Sequence, residues 1–196
     1  GEKWTNRHKL VKEVTMELIK PLDLYDLTGF YAEITSACNL RCLHCYNDSG
    51  ILKDQISFND FEKIVNEFDD PDTSITLSGG EPLLHPDIKR FLDCLGEKSF
   101  NNSLIITNAT LMDEELANHI VKNKIAVQVS INGMIAEEHD LLCGKGNFRR
   151  TMNGLERLRN AGNNRIVIRC MVSAANVDHI EDFISSMAPK ADTILL

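Results

Sequence analysis

The chain has 196 residues, a net charge of −8, and 43% hydrophobic against 26% charged residues. That length and balance suit one domain with a substantial core, and the negative charge argues against a general nucleic-acid surface, which draws on clustered Lys and Arg. No apolar run approaches the ~20 residues of a membrane span and no signal-peptide pattern opens the chain, so the expected setting is the cytoplasm, with no membrane partner.

From about Thr5 to Lys20 the apolar residues Leu10, Val14, Leu18 and Ile19 recur at helical spacing until Pro21 stops the pattern, which predicts a helical extension over residues 1–29. Packing ahead of the first strand and service as part of a partner-binding segment are both open to it. Phe30 to Thr35 then reads as a strand. The loop after it carries Cys38, Cys42 and Cys45 as Cys-x3-Cys-x2-Cys, at the strand end where α/β folds place ligands. Soft thiolates gathered this closely imply a metal centre. Three of them would hold three irons of a 4Fe-4S cluster and leave the fourth open; a zinc knot, the alternative, would need His44 or a distant cysteine as its fourth ligand. Cys94, Cys143 and Cys170 are scattered and do not read as a secreted disulfide framework.

Ser57 is a plausible N-cap for a helix to about Phe68, with Phe58, Phe61, Ile64 and Val65 on its buried face. A strand from Ser74 to Leu77 leads into Ser78-Gly79-Gly80-Glu81-Pro82, whose glycines permit close backbone approach. The pattern continues with a helix from about Pro86 to Leu95, a strand from Ser103 to Thr107 ending at Asn108, a helix from Asp113 to Lys122, and a strand from Ala126 to Ile131. Asn132 to Asn147 reads as a long connection, of the kind that is usually functional. A helix from Phe148 to Asn160, a strand from Arg165 to Val172, a helix capped by Asn176 and running to Met187, and a strand from Asp192 to Leu196 complete the count. Strands alternating with helices predict a parallel sheet. Six strands fall short of the eight of a closed barrel, so the expected fold is an open, partial (β/α)6 TIM-like barrel.

The cysteine spacing, the Gly-Gly-Glu-Pro segment, Asn108 and Ser130-Ile131-Asn132-Gly133 together resemble the radical S-adenosylmethionine (radical SAM) superfamily, from about Phe30 to the end of the chain, giving a core domain over 30–196. The resemblance implies a 4Fe-4S cluster on Cys38, Cys42 and Cys45 and S-adenosylmethionine chelating the open iron. It implies cofactor-binding positions at His44, Ser78, Gly79, Gly80, Glu81, Asn108, Ser130 and Asn132, with the Gly-Gly-Glu backbone and Glu81 receiving the methionyl amine. Reductive cleavage would yield a 5′-deoxyadenosyl radical that abstracts hydrogen from substrate, with electrons from a flavodoxin- or ferredoxin-type donor. No residue is singled out as a catalytic acid or base.

Three positions depart from the family pattern. Ala109 stands where the family often has glycine after Thr-Asn, Asn132 where many relatives have Asp, and Cys143 where many peptide-modifying members have Arg, a role that Lys145 or Arg149 would have to assume. Cys143 itself reads most simply as an inert small residue and Arg169-Cys170-Met171-Val172 most simply as core, with an adenine neighbour at Met171 or Val172 as the alternative. The segment 147–176 most resembles peptide- or protein-modifying members that carry a further C-terminal iron-sulfur (SPASM/twitch) domain. That domain would follow the sixth strand, where the sequence stops, so the expectation is a truncated enzyme or a domain whose remainder is disordered, with an open sixth strand that exposes Ile194 and Leu195. A small cofactor precursor as substrate, and a non-catalytic iron-sulfur electron carrier, are the alternative functions.

Overall fold

The computed structural model describes residues 28–45, 47, 51 and 53–196; the expected N-terminal helix lies outside them. Six strands, β1 (Gly29–Thr35), β2 (Ser74–Gly79), β3 (Asn102–Thr107), β4 (Ala126–Ser130), β5 (Ile166–Arg169) and β6 (Thr193–Leu195), form one sheet in sequence order, every pair parallel. The helices between them are α1 (Phe58–Asn66), α2 (Ile88–Lys98), α3 (Glu114–Lys122), α4 (Ala136–Cys143), α5 (Asn147–Asn160) and α6 (Ile180–Met187). This is the open α/β partial barrel that the alternation predicts.

The register gives the sheet two unlike faces. Ala32, Ile34, Ile75, Leu77, Ile105, Val127, Val129, Ile166 and Ile168 alternate onto one side and pack with Phe61, Phe91, Leu92, Ile120 and Leu158 of the helices in a continuous buried core. Rings mark that side: Phe61 and Phe91 lie 4.7 Å apart centre to centre, and Phe30 lies 5.4 Å from Phe68. The intervening residues point the other way, with Tyr31 opposite Thr76, Glu33 opposite Ser78, Ile106 opposite Gln128 and Ser130 opposite Arg169. That face is mixed in polarity, and Tyr31 on it is 73% exposed.

Local signals explain most boundaries. Ser57 caps α1 by accepting from the Asp60 N–H, and Asp113 caps α3 by accepting from the Leu116 N–H, each satisfying an amide that has no partner within its helix. Two expectations are corrected. The stretch Asn132–Asn147 is not all loop, because it contains α4. The inward side of α4 carries Glu138, His139 and Cys143 while Leu141 is exposed, so no apolar stripe announces a helix. Asn176 does not cap α6 with its side chain. Its Nδ2 donates to the carbonyls of Asn132 (3.0 Å) and Met171 (2.9 Å) and its Oδ1 accepts from the Ser173 N–H (2.8 Å), so a short 3-10 turn, Val177–His179, precedes the helix. Strand β6 pairs only with β5 among the described residues, and its last residue, Leu195, is 42% exposed; Ile194, expected exposed, packs partly against the core.

Candidate metal and cofactor site

The site assembles at the C-terminal ends of β1, β2 and β3 because the backbone there is stitched together. Leaving β1, the chain gives the Thr35 carbonyl to the Gly80 N–H (2.7 Å) and the Ala37 carbonyl to the Glu81 N–H (2.8 Å). A Cβ on Gly80 would stand 2.3 Å from the Ala37 oxygen, and one on Gly79 would stand 2.2 Å from the Thr35 oxygen. Gly79 also holds φ at +130°, a region that side chains disfavour. The paired glycines are therefore required by the approach of the cysteine loop itself. Past the loop, Asp54 returns alongside, accepting from the Ser36 N–H (2.9 Å) and donating its own N–H to Ser36 Oγ (2.8 Å).

Between these pins stand Cys38, Cys42 and Cys45, all half-buried and none in a disulfide. Asn39 fastens the loop to the end of β3: its Nδ2 donates to Thr110 Oγ1 (2.8 Å) and its Oδ1 accepts from Asn108 Nδ2 (3.0 Å). Leu40 is buried beneath it, and the Leu43 N–H donates to the Leu142 carbonyl on α4 (2.8 Å). Burial raises the Cys38 thiol, with the charges of Glu81 and Cys45 adding to it. The Cys42 thiol is raised by its hydrogen bond with Cys143, then by burial and by the charges of Cys143, Cys38 and Cys45. The three sulfurs thus feel one another's charge in a partly dry loop, which disfavours the thiolates until a cation neutralises them. That donor set fits a cluster ligated by three thiolates.

Glu81 is fully buried. Oε1 accepts from Thr107 Oγ1 (2.6 Å) and the Leu83 N–H (3.1 Å), and Oε2 accepts from the Asn108 N–H (2.8 Å). Burial pushes its pKa up to about 7 against the opposing pull of those bonds. The carboxylate therefore clamps the tip of β2 to the tip of β3. Asn108 is equally engaged, its Oδ1 accepting from Thr110 N (2.9 Å) and Oγ1 (2.7 Å). Ala109, where glycine is expected from the family pattern, adopts φ +56°. The left-handed turn is kept without its usual residue, at roughly 1–2 kcal/mol of strain.

Ser78 and Ser130 sit half-buried at the ends of β2 and β4 on the mixed face. Asn132 is a buried hub just beyond: its N–H donates to His139 Nδ1 (3.1 Å), its Oδ1 accepts from the Met171 N–H (2.9 Å), and its Nδ2 lies 3.4 Å from both Cys143 Sγ and His44 Nε2. His44 Nδ1 and His139 Nε2 are buried with no hydrogen-bond partner. Glu138 closes this region, accepting from the Met134 N–H (2.8 Å) and pairing with His179 Nδ1. Met171 and Val172 are partly exposed, and Lys145 and Arg149 are both exposed.

The residue that sequence reasoning underrated is Cys143. At the end of α4 its sulfur lies within 4.8 Å of both the Cys42 sulfur and a His44 ring nitrogen. Hydrogen bonding with Cys42, helped by His139 and Asn132, lowers its pKa against the opposing effect of burial. Only the departure from the family's Arg marked it in the sequence.

The Radical SAM superfamily model matches residues 32–187. Mycofactocin maturase MftC of Mycolicibacterium smegmatis is 31% identical over 169 residues, covering 83% of this chain and 42% of the relative. The antilisterial bacteriocin subtilosin biosynthesis protein AlbA of Bacillus subtilis is 33% identical over 135 residues, covering 66% and 30%. The chain thus spans less than half the length of these relatives. In fold it is similar to Streptococcus suis SuiB bound to precursor peptide SuiA, with a TM-score of 0.72 and 21% identity over 98% of this chain and 43% of that one. Among the described residues no helix is long and apolar enough to cross a membrane. With a family match over most of its length, and the cysteine loop and paired glycines locked together at the strand ends, the chain belongs to the radical SAM superfamily.

Proposed function

We propose that Cys38, Cys42 and Cys45 hold a 4Fe-4S cluster, and that S-adenosylmethionine binds beside it against the strand ends, for hydrogen abstraction from a peptide or protein substrate. The observation that carries this reading is the stitching of a three-thiol loop to the Gly79-Gly80-Glu81 segment. The division into an extension over 1–29 and a core over 30–196 belongs to the same proposal, as does a flavodoxin- or ferredoxin-type electron donor. The peptide assignment is supported by relatives named as a mycofactocin maturase and a bacteriocin biosynthesis protein, and by the likeness in fold to SuiB bound to its precursor peptide SuiA.

When bound, the cluster and S-adenosylmethionine supply reductive cleavage to a 5′-deoxyadenosyl radical, chemistry no side chain provides. The residues position and shield. Ser78 and the backbone of Gly79 and Gly80 would receive the cosubstrate's methionyl end, while Glu81, bonded to Thr107 and the Asn108 N–H, holds that segment to β3. Ser130 and Asn132 offer hydroxyl and amide contacts from β4, and His44 presents its ring from between two cluster ligands. Asn132, being neutral, accepts or donates without adding a charge that a partly dry site would have to neutralise.

Anaerobic reconstitution tests this directly. The wild-type chain and Cys94→Ala, altered in the helix layer, are expected to take up about four irons per chain and to change spectroscopically when S-adenosylmethionine is added. Cys38→Ala, Cys42→Ala and Cys45→Ala are expected to lose the cluster. A Cys38→Ala chain that kept the full iron count would refute the ligand set, and turnover of a small precursor with no peptide product would refute the substrate class.

A further inference from the structure

Cys42, His44 and Cys143 form a second donor set, which overlaps the proposed cluster ligands at Cys42 and adds Cys143, a thiol that the cluster reading leaves unused. Their ligand atoms all lie within 4.8 Å of one another. Four-coordinate zinc, with Zn–S of about 2.3 Å and Zn–N of about 2.0–2.1 Å, holds its donors about 3.5–3.8 Å apart, which small side-chain adjustments reach from here. A cluster spreads its thiolates over different irons, so two sulfurs brought together this closely suit one ion better than two corners of a cluster.

The surroundings of the three donors favour a metal. Cys143 is buried and fixed at the end of α4, and the hydrogen bond from Leu43 N–H to the Leu142 carbonyl (2.8 Å) brings the cysteine loop against it. Asn132 Nδ2 donates to Cys143 Sγ (3.4 Å) while its Oδ1 is anchored by the Met171 N–H, an outer contact of the type that orients metal-bound thiolates. His44 Nδ1 is a buried polar atom with no partner, which a bound ion or a reorientation of the ring would satisfy. Two thiolates and an imidazole are a zinc-type donor set, leaving the fourth position to solvent.

We propose that the cluster-free chain binds one zinc-class divalent cation through Cys42, His44 and Cys143, in a state that excludes the cluster because both need Cys42. Binding releases the thiol protons and ties α4 to the cysteine loop. Cys143, brought to the cysteine loop by α4, is what creates this state.

The test uses the metal-free chain, prepared anaerobically without iron or sulfide and titrated with Zn2+ against a chromophoric chelator, then with Co2+ as a spectroscopic substitute. One equivalent should bind, and Cys42→Ala, His44→Ala and Cys143→Ala should each weaken Zn2+ at least tenfold. Cys38→Ala and Cys45→Ala should bind as the wild type does. That contrast separates this site from a zinc knot on the three loop cysteines and is independent of whether the cluster assignment holds. If Cys143→Ala folds poorly, the wild-type Co2+ spectrum decides: tetrahedral bands with charge transfer from two thiolates support the site. Unchanged Zn2+ affinity in Cys143→Ala, equal loss in Cys38→Ala or Cys45→Ala, or charge transfer from three thiolates would overturn it.

Discussion

The two faces of the sheet are built on opposite principles. On the helix side, residues such as Ile34, Leu77, Ile105 and Val129 are fully buried among aromatic rings, and their stabilisation comes from area removed from water. On the other, Glu33, Ser78, Gln128, Ser130 and Arg169 alternate with them, and Tyr31 is largely exposed. The strands are thus packed continuously on one side and mixed in polarity and exposure on the other, where Thr76 and Gln128 are buried while Tyr31 is open. The site lies where the second face meets the strand tips, and there hydrogen bonds take over from packing.

The contrast can be broken most forcibly from the packed side. Phe61→Ala removes a fully buried ring in contact with Phe91 and Phe30, and should lower unfolding free energy by about 3–5 kcal/mol, as read by chemical denaturation. A smaller loss would mean that the aromatic layer repacks.

Glu81 sharpens the comparison, because it is the carboxylate that the site keeps fully dry. Its folded pKa is raised to about 7 from about 4.3 in an unfolded chain, so between those values the folded state holds more protons than the unfolded one. Stability from this group is therefore greatest below pH ~4.3 and falls as pH rises through ~7, by roughly 4 kcal/mol at 1.36 kcal/mol per unit. Glu81→Gln should flatten that stretch of the stability curve relative to wild type, measured by denaturation at a series of pH values. An unchanged slope would place the titration elsewhere.

Ser57→Ala probes a contribution that belongs to neither face. Losing the Oγ that accepts the Asp60 amide (3.1 Å) should cost about 1 kcal/mol, seen as a lower midpoint with an unchanged denaturant slope. Ser78→Ala, at the polar end of β2, is expected to move stability by no more than about 0.5 kcal/mol while weakening S-adenosylmethionine binding measured anaerobically by calorimetry. A large stability loss with intact binding would reverse the roles assigned to the two faces.

The order of elements was legible because the strands are apolar runs and the caps Ser57 and Asp113 are of the right type. The cysteine spacing and the glycine pair were legible for the same reason: their chemistry is local, within a few residues of chain. Helix α4 was not, since its buried side is made of Glu138, His139 and Cys143, which no apolar periodicity reports. The clamp from Glu81 to Thr107 and Asn108, and the meeting of Cys42 with Cys143, join positions far apart in sequence, and only the fold brings them together. Asn176 has the composition of a cap, yet its Oδ1 accepts from the Ser173 N–H upstream while its Nδ2 is held by the Asn132 and Met171 carbonyls.

The two amides that stitch the cysteine loop to β2, those of Gly80 and Glu81, find their carbonyls only after β1 and β2 have paired in register. The loop is thus cast by the sheet, and any metal arrives at a mould already set rather than at a chain it must fold around itself. Deuterium should enter these two amides of the metal-free chain about as slowly as it enters the middle of β2, since both open with the same cooperative unit; rapid exchange there, quenched by metal, would mean that the ion sets the mould.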